Sequence, residues 1–495
     1  MDEVKTADVV VVGCGIAGLS AAVTALQAGA NVTVLERAPQ EDFGGNTRWT
    51  EAYMRMKNDA EIADDFAEHF MLNAGANLDP NIERAVTGES SSWPAYVRAH
   101  TLPDPEVIFT FADSVPPTIA WLKEFGLKFG PQPIYLLTQN THRIAAQGGG
   151  LALIERLNAE VTALGGEILY ETAARDLVRA ADGSVTGVLC TGPEGQPLRI
   201  KATHTILASG GFQGNPEMMA RYIGPRASYI RPVARGGYYN RGEGIRMALD
   251  AGAAPAGEFS SYHAEPVDPR SMEAEAVVFI YPYGILVNKR GLRFIDEAPG
   301  TVDAHYDNIS RSFAHQPDGI AWVIFDDQVQ DIPRWQTSIR SDIPPIEAPT
   351  IEALAQKLGL PRENLTATIE GFNAACPEIG AFTPFAIDNA STRGIEPPKS
   401  NWSRPLTKAP FRAYPLISSV CFTFGGLKVN TRAEVVDTEG RVIPGLLAAG
   451  ETMGIYHQVY TGSTSVLRGA VFGRIAAQTA MNANSSPSSL GGTND

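Results

Sequence analysis

The chain has 495 residues, enough for two domains and a large buried core, and its 44% apolar content is ordinary for a globular protein. A formal net charge of -15 argues against a nucleic-acid partner, since phosphate binding needs a basic face, while leaving room for a small anion in a local basic pocket. Cys14, Cys190, Cys376 and Cys421 form no CxxC pair and signal no metal site or dithiol centre, and no apolar run approaches the roughly 20 residues of a membrane helix.

Met1 to Asp8 is acidic and leads straight into a β-rich run, Asp8 to Val12, so a soluble, cytoplasmic chain is expected. Gly15 to Gly29 reads as a helix rich in Ala and Leu, and Asn31 to Glu36 alternates like a second strand, completing a βαβ unit. Residues 60–75 carry Ile62, Phe66, Phe70 and Met71 on one helical stripe, with His69 a plain side chain on that helix. Leu151 to Leu164 predicts another helix, followed by a strand around Ile168 to Tyr170. Arg175 to Val178 and Val185 to Cys190 resemble hairpin strands around Asp182-Gly183, and Thr205 to Ala208 reads as a buried strand.

From about 235 prolines become frequent, and the stretch reads as a second domain inserted into the first. Nucleotide-domain character returns at Gly425 to Arg474. The expected division is 1–235 and 396–481 for the first domain, 236–395 for the insertion, and a disordered Ser-, Asn- and Gly-rich tail over 482–495.

Val9 to Gly18 reads VVVVGCGIAG, a GxGxxG set between a strand and a helix. Gly13 permits the tight turn, Gly15 lets the backbone approach a pyrophosphate, and Gly18 lets the helix pack on the strand. The helix start at Ile16 and Ala17 supplies free N–H groups and a positive dipole end. Glu36 ends the second strand about 20 residues on, where a carboxylate accepts ribose hydroxyls, and Arg37 follows it. This fingerprint does not separate FAD from NAD. A second glycine turn, Gly44-Gly45-Asn46-Thr47, follows within a few residues and suits a ribityl chain and an isoalloxazine ring.

These segments, with ILASGGF at Ile206 to Phe212 and GLLAAGE at Gly445 to Glu451, resemble in this order the fumarate reductase/succinate dehydrogenase flavoprotein family (FAD-dependent oxidoreductase 2). The resemblance spans nearly the whole chain, with the inserted domain matching least. It implies an α/β fold: a Rossmann-like FAD-binding domain of the glutathione-reductase type with an inserted α+β capping domain. It implies Glu36 at the adenosine ribose, Ala174 at the adenine and Ser209-Gly210-Gly211 in the cradle. It places Gly450 and Glu451 at the ribityl chain, and Ser465, Val466 and Leu467 at the flavin ring, where a helix ending at Arg474 aims its positive end. Family members with covalent flavin carry histidine where this chain has Asn46, so non-covalent FAD is expected.

The same resemblance puts His263, His457 and Thr423-Phe424-Gly425-Gly426 beside substrate. One departure is informative. Fumarate reductases carry a proton-donating arginine soon after the segment matching Arg293 to Glu297, and here Ala298 to Tyr306 holds none, with Arg311 the next. The arginine segment after the second histidine is replaced by Tyr460-Thr461-Gly462-Ser463-Thr464. These changes resemble the tricarballylate dehydrogenase and 3-ketosteroid 1-dehydrogenase branch, with Asn46-Thr47-Arg48 and His263 to Asp268 closer to the former. The expected activity is desaturation of a CH–CH bond in a small polycarboxylate, of the tricarballylate to cis-aconitate type. Tyr306 or Tyr460 would accept a proton, and His263, His457 and Arg143 would contact anions. A lone Tyr or His is more often a packed residue than a catalyst, and these assignments compete with that reading. The alternatives are a 3-ketosteroid-type or fumarate-type flavoenzyme, a non-catalytic flavin redox sensor, and an NAD-dependent dehydrogenase. With no second dinucleotide fingerprint and no haem motif, electrons are expected to pass to a separate acceptor.

Overall fold

Val9 to Val12, all buried, form the centre of a parallel sheet, as a continuous apolar run does when both faces are covered. The computed structural model describes residues 3–72, 92–98, 100, 102, 104–131, 136–139, 142–378 and 382–484. The strand Glu3–Val12 pairs in parallel with Val32–Leu35 on one side and Pro197–Leu207 on the other. Glu167–Leu169 extends the sheet beyond Val32–Leu35. Val442–Ala448 adds in parallel to Pro197–Leu207, with Leu446 opposite Thr205 and Ala448 opposite Leu207. Glu434–Val436 closes that edge, and the hairpin Ala173–Arg179/Val185–Thr191 joins Pro197–Leu207 antiparallel. Residues from both ends of the chain thus share one sheet.

Two helices lock the ends together. Ile16–Gln27 packs against Ser465–Asn484. Added Cβ atoms at Gly469 and Gly473 would lie 2.6 Å from Ile16 Cγ2 and 2.2 Å from Ala17 O, so the contact requires bare backbone. The terminal helix runs ten residues past the expected end at Arg474, because Ala476, Ala477 and Ala480 remain fully buried against the core. Residues 482–484, expected in a disordered tail, are its last turn, and 485–495 lie outside the described residues. The helix expected over 60–75 is Phe66–Leu72, and 73–75 also lie outside them.

A second sheet is built on the 13-residue strand Phe411–Thr423. Ile320–Phe325, Tyr262–Val267 and Ile346–Ala348 pair antiparallel to it, Arg231–Pro232 pairs in parallel, and Ile285–Asn288 lies outside Ile320–Phe325. This sheet has its own apolar clusters, around Phe325 and Leu416 and around Leu354 and Phe372. It draws on residues 231–423 rather than 236–395 alone, since its central strand follows the proline-rich stretch. Conversely, the helix Glu243–Asp250 packs on Ala173–Arg179 of the first sheet. Among the described residues no helix is long and apolar enough to cross a membrane.

Candidate active site

A cleft open to solvent lies between the two sheets, lined by residues of both. Its first end is mostly backbone. Gly13 sits at φ 109°, and an added Cβ would lie 2.3 Å from Ala208 O. An added Cβ on Gly18 would lie 1.9 Å from Gly13 O, so Gly18 sets helix packing and lies outside the lining. At Gly15 the nearest atom would be 3.7 Å away, leaving that face open to the cleft. Gly15 is also the N-cap of Ile16–Gln27, and no side-chain cap occupies the helix start. Ile16, Ala17 and Thr47 line the cleft there, Thr47 Oγ1 accepting from Ile16 N–H at 3.4 Å.

Glu36 is buried, its carboxylate accepting Cys14 N–H at 3.0 Å and Ala38 N–H at 2.8 Å. Burial pushes its carboxyl above the ordinary range, and those N–H bonds pull it back. Arg37 is ion-paired with Glu243, and Ala174 lines the cleft beside them. Gly45 and Asn46 line the middle, whereas Gly44 packs on Ile154 behind it.

Glu451 joins the two sheets. Its carboxylate accepts the N–H of Thr423 at 2.8 Å, at the end of the second sheet's central strand, and the amides of Asn240 and Gln213 at 3.3 and 3.4 Å. Gly211 stands behind it, and a Cβ there would lie 2.1 Å from Glu451 Oε1. Ser209, Gly210 and Gly450 line the cleft beside Glu451. Ser465 and Val466 line it at the start of the terminal helix, while Leu467 points into the core. Arg468, which the motifs did not single out, also lines the cleft. It is 1% exposed, lies over Tyr456 at 4.6 Å, and has no hydrogen-bond partner for Nε among the described residues.

The other end is made of side chains. His263 Nε2 lies 2.7 Å from Tyr306 Oη, and the Tyr460 ring, tilted by 46°, has its centroid 4.4 Å from that of the imidazole. All three line the cleft with Glu265, Glu275 and Cys421. Burial first, with Arg311 adding, pushes His263 down to about 3, so the ring is neutral and meets a ligand as a hydrogen-bonding group. Burial, with Glu265, Tyr460 and Asp307 adding, pushes the Tyr306 phenol well above its ordinary range. Tyr460 spends its oxygen elsewhere, accepting the N–H groups of Thr464 and Ser465 at 2.9 and 3.0 Å at the helix start.

Two expected contacts fall outside the cleft. Arg143 is held by Asp303 at 3.0 Å and by Ser463 Oγ at 2.8 Å, and borders a smaller cavity behind Tyr306 and Tyr460. His69, read as a plain helix side chain, lines that cavity too, 3.2 Å from Thr461 Oγ1. His457 is buried but not in the cleft lining, because its turn folds back through a bridge to Val459. Missed in turn were Glu265, on the same strand face as His263, and Glu275, which arrives from a loop. His263, Glu265 and Cys421 bring possible ligand atoms within 4.8 Å of one another, a grouping that cysteine spacing did not show.

The open glycine face, the uncapped helix start, the ribose-type acid Glu36, and Ser209 Oγ and Asn46 Oδ1, which have no partner among the described residues, fit a flavin dinucleotide. A family model for the FAD binding domain matches residues 8–467. The chain belongs to the FAD binding domain family. FAD is therefore the cofactor that this chain is built to hold. It is 29% identical over 535 residues to the NADH:acrylate oxidoreductase of Vibrio harveyi, covering 96% of this chain and 50% of that protein. The chain thus spans about half the length of that relative. It is 28% identical over 473 residues to the vinyl phenol reductase of Lactiplantibacillus plantarum, covering 90% of this chain and 89% of the other. Its fold matches the open conformation of a flavocytochrome c3 fumarate reductase with a TM-score of 0.71 at 24% identity, over 97% of this chain and 79% of that one.

Proposed function

We propose that this flavoprotein reduces a carbon–carbon double bond conjugated to an electron-withdrawing group, with Tyr306 as proton donor. The contact between Tyr306 Oη and His263 Nε2 at the capped end of the cleft carries the reading. Bound FAD supplies hydride exchange; the protein supplies position and the proton. Tyr306 keeps its proton at neutral pH, because burial and its acidic neighbours disfavour the phenolate. Neutral His263 can donate Nε2–H to the phenol oxygen, directing the phenolic proton toward substrate. Asp307 accepts Ala264 N–H at 2.6 Å and Arg311 at 2.9 Å, fixing the helix that carries Tyr306 against the strand that carries His263. Tyr460 is the poorer proton carrier, since its oxygen serves the helix start.

The names of the acrylate and vinyl phenol enzymes support the reductive direction. A polycarboxylate such as tricarballylate has less support, because Arg340, Arg311 and Arg143 near that end are paired with acids of the chain. The FAD is held without a covalent bond, Asn46 offering no nucleophilic ring nitrogen. Electrons come from a separate carrier.

The test is anaerobic mixing of reduced, flavin-loaded protein with acrylate, 4-hydroxystyrene, cis-aconitate and a 4-ene-3-ketosteroid. Return of flavin absorbance with formation of a saturated product is expected for an activated alkene. Failure of every alkene, together with bleaching of the oxidised flavin by tricarballylate, would overturn the reading in favour of desaturation.

A further inference from the structure

The capped end holds more acid than its cations answer. The strand Tyr262–Val267 runs antiparallel to Phe411–Thr423 with a register shift between His263 and Ala264. His263 and Glu265, two residues apart on that strand, both reach the cleft, and each is 6% exposed. Glu275 comes from the following loop and is 7% exposed. Its backbone sits at φ 50°, a left-handed conformation that a non-glycine residue keeps only where its surroundings impose it. That conformation, with its N–H donating to Val233 O at 3.2 Å, brings its carboxyl to the same cleft.

Three neighbouring arginines are paired with acids, and Arg468 leaves its Nε without a partner among the described residues. Arg340 reaches Glu275 at 3.3 Å but lies closer to Glu51, at 2.8 Å. Arg311 is bonded to Asp307 and Arg143 to Asp303. Arg468 donates to Met453 O at 3.2 Å and lies over Tyr456. Glu265 Oε2 and His263 Nδ1 have no hydrogen-bond partner among the described residues. Two buried carboxyls therefore face the cleft with at most a shared counter-charge, and one oxygen is left without a donor. Such groups are costly alone and favourable when a ligand brings the donor.

We propose that the substrate carries a nitrogen-borne hydrogen-bond donor, such as an imidazole, amine or amidine, which docks against Glu265 and Glu275. The inference rests on the reading that the capped end of the cleft takes the substrate. It follows that this enzyme selects against a second carboxylate at that end and for a ring or chain N–H. Burial pushes Glu265 up to about 7 and Glu275 well above its ordinary range, so a cationic group that ionises them gains most.

Three acrylates of similar size test this on the FAD-loaded protein: 3-(imidazol-4-yl)acrylate, its near-isostere 3-(2-furyl)acrylate without the N–H, and fumarate. Binding is read from perturbation of the flavin spectrum and turnover from reoxidation of reduced flavin. The imidazole compound should bind about 100-fold tighter than the furan, because a site built for a donor rejects an analogue lacking it. In Glu265→Gln and Glu275→Gln, checked for full FAD content, that advantage should shrink at least tenfold (about 1.4 kcal/mol). Equal binding of furan and imidazole, or tightest binding of fumarate, would overturn the proposal. So would tight Zn²⁺ binding that Cys421→Ser abolishes, which would assign the carboxyl to a metal. If the imidazole binds tightest but no acrylate reoxidises the flavin, the reductase reading falls and the assignment of the two carboxyls stands.

Discussion

At the Gly13 end of the cleft the chain offers backbone, and at the Tyr306 end it offers side chains. Gly13, Gly15 and Gly18 work by lacking a Cβ, within six residues of one another, and Glu36 closes the same βαβ unit. His263, Glu275, Tyr306, Cys421 and Tyr460 come from five separate segments and meet only because Phe411–Thr423 and its partners fold over the first sheet. A dinucleotide presents the same phosphates in every enzyme that binds it, so a local motif suffices. A substrate end must be assembled anew for each chemistry, and long-range packing assembles it.

The sharpest way to break that contrast is at the backbone end. Gly18→Ala places a Cβ against Gly13 O, with no flexible side chain to yield. It should cost more than about 3 kcal/mol and abolish FAD retention, measured by thermal unfolding and bound-flavin absorbance. Normal flavin content would show that the close approach is not required.

A smaller effect is expected from titration at the side-chain end. Glu265 is pushed up to about 7 by burial, opposed by Arg340 and Cys421, with Asp307 adding, and Glu275 and Tyr306 face the same space. The folded protein then holds a proton that the unfolded chain, with a carboxyl near about 4.3, has already released. Stability should therefore fall as pH rises from about 4.5 to 7, by on the order of 2 kcal/mol, and stay low above it. The fall across that range should be shallower in Glu265→Gln, with Asp307, raised to about 6 by burial, keeping part of it. An unchanged slope in that variant would place the titration elsewhere.

The smallest effect is expected at His457, a buried side chain outside the cleft lining. His457→Ala should change turnover by less than about threefold, whereas a residue that binds in the transition state would cost far more. A loss above a hundredfold would bring His457 back into the site.

The contrast also explains what could be read from sequence. The GxGxxG turn, Glu36 and the flanking strands are local, and period and glycine spacing reveal them. Glu265 lies two residues from His263 on one strand, so the two-residue period puts both on the same face. Glu275 and Arg468 had no local signal, since a loop and a helix turn bring them in from afar. Tyr460 was expected at the substrate, and its hydroxyl instead serves the start of Ser465–Asn484, a contact visible only once that helix is in place. Phe411–Thr423 joins the second sheet although it follows the proline-rich stretch, because prolines mark turns, not sheet membership.

The most direct measurement is the single-turnover reoxidation of reduced, FAD-loaded Tyr306→Phe by an activated alkene, beside the unaltered protein. The account predicts full flavin content, unchanged alkene binding, and reoxidation slower by ~10²–10⁴-fold, the range for a lost general acid. Reoxidation at the unaltered rate would contradict it, because the proton would then have another source.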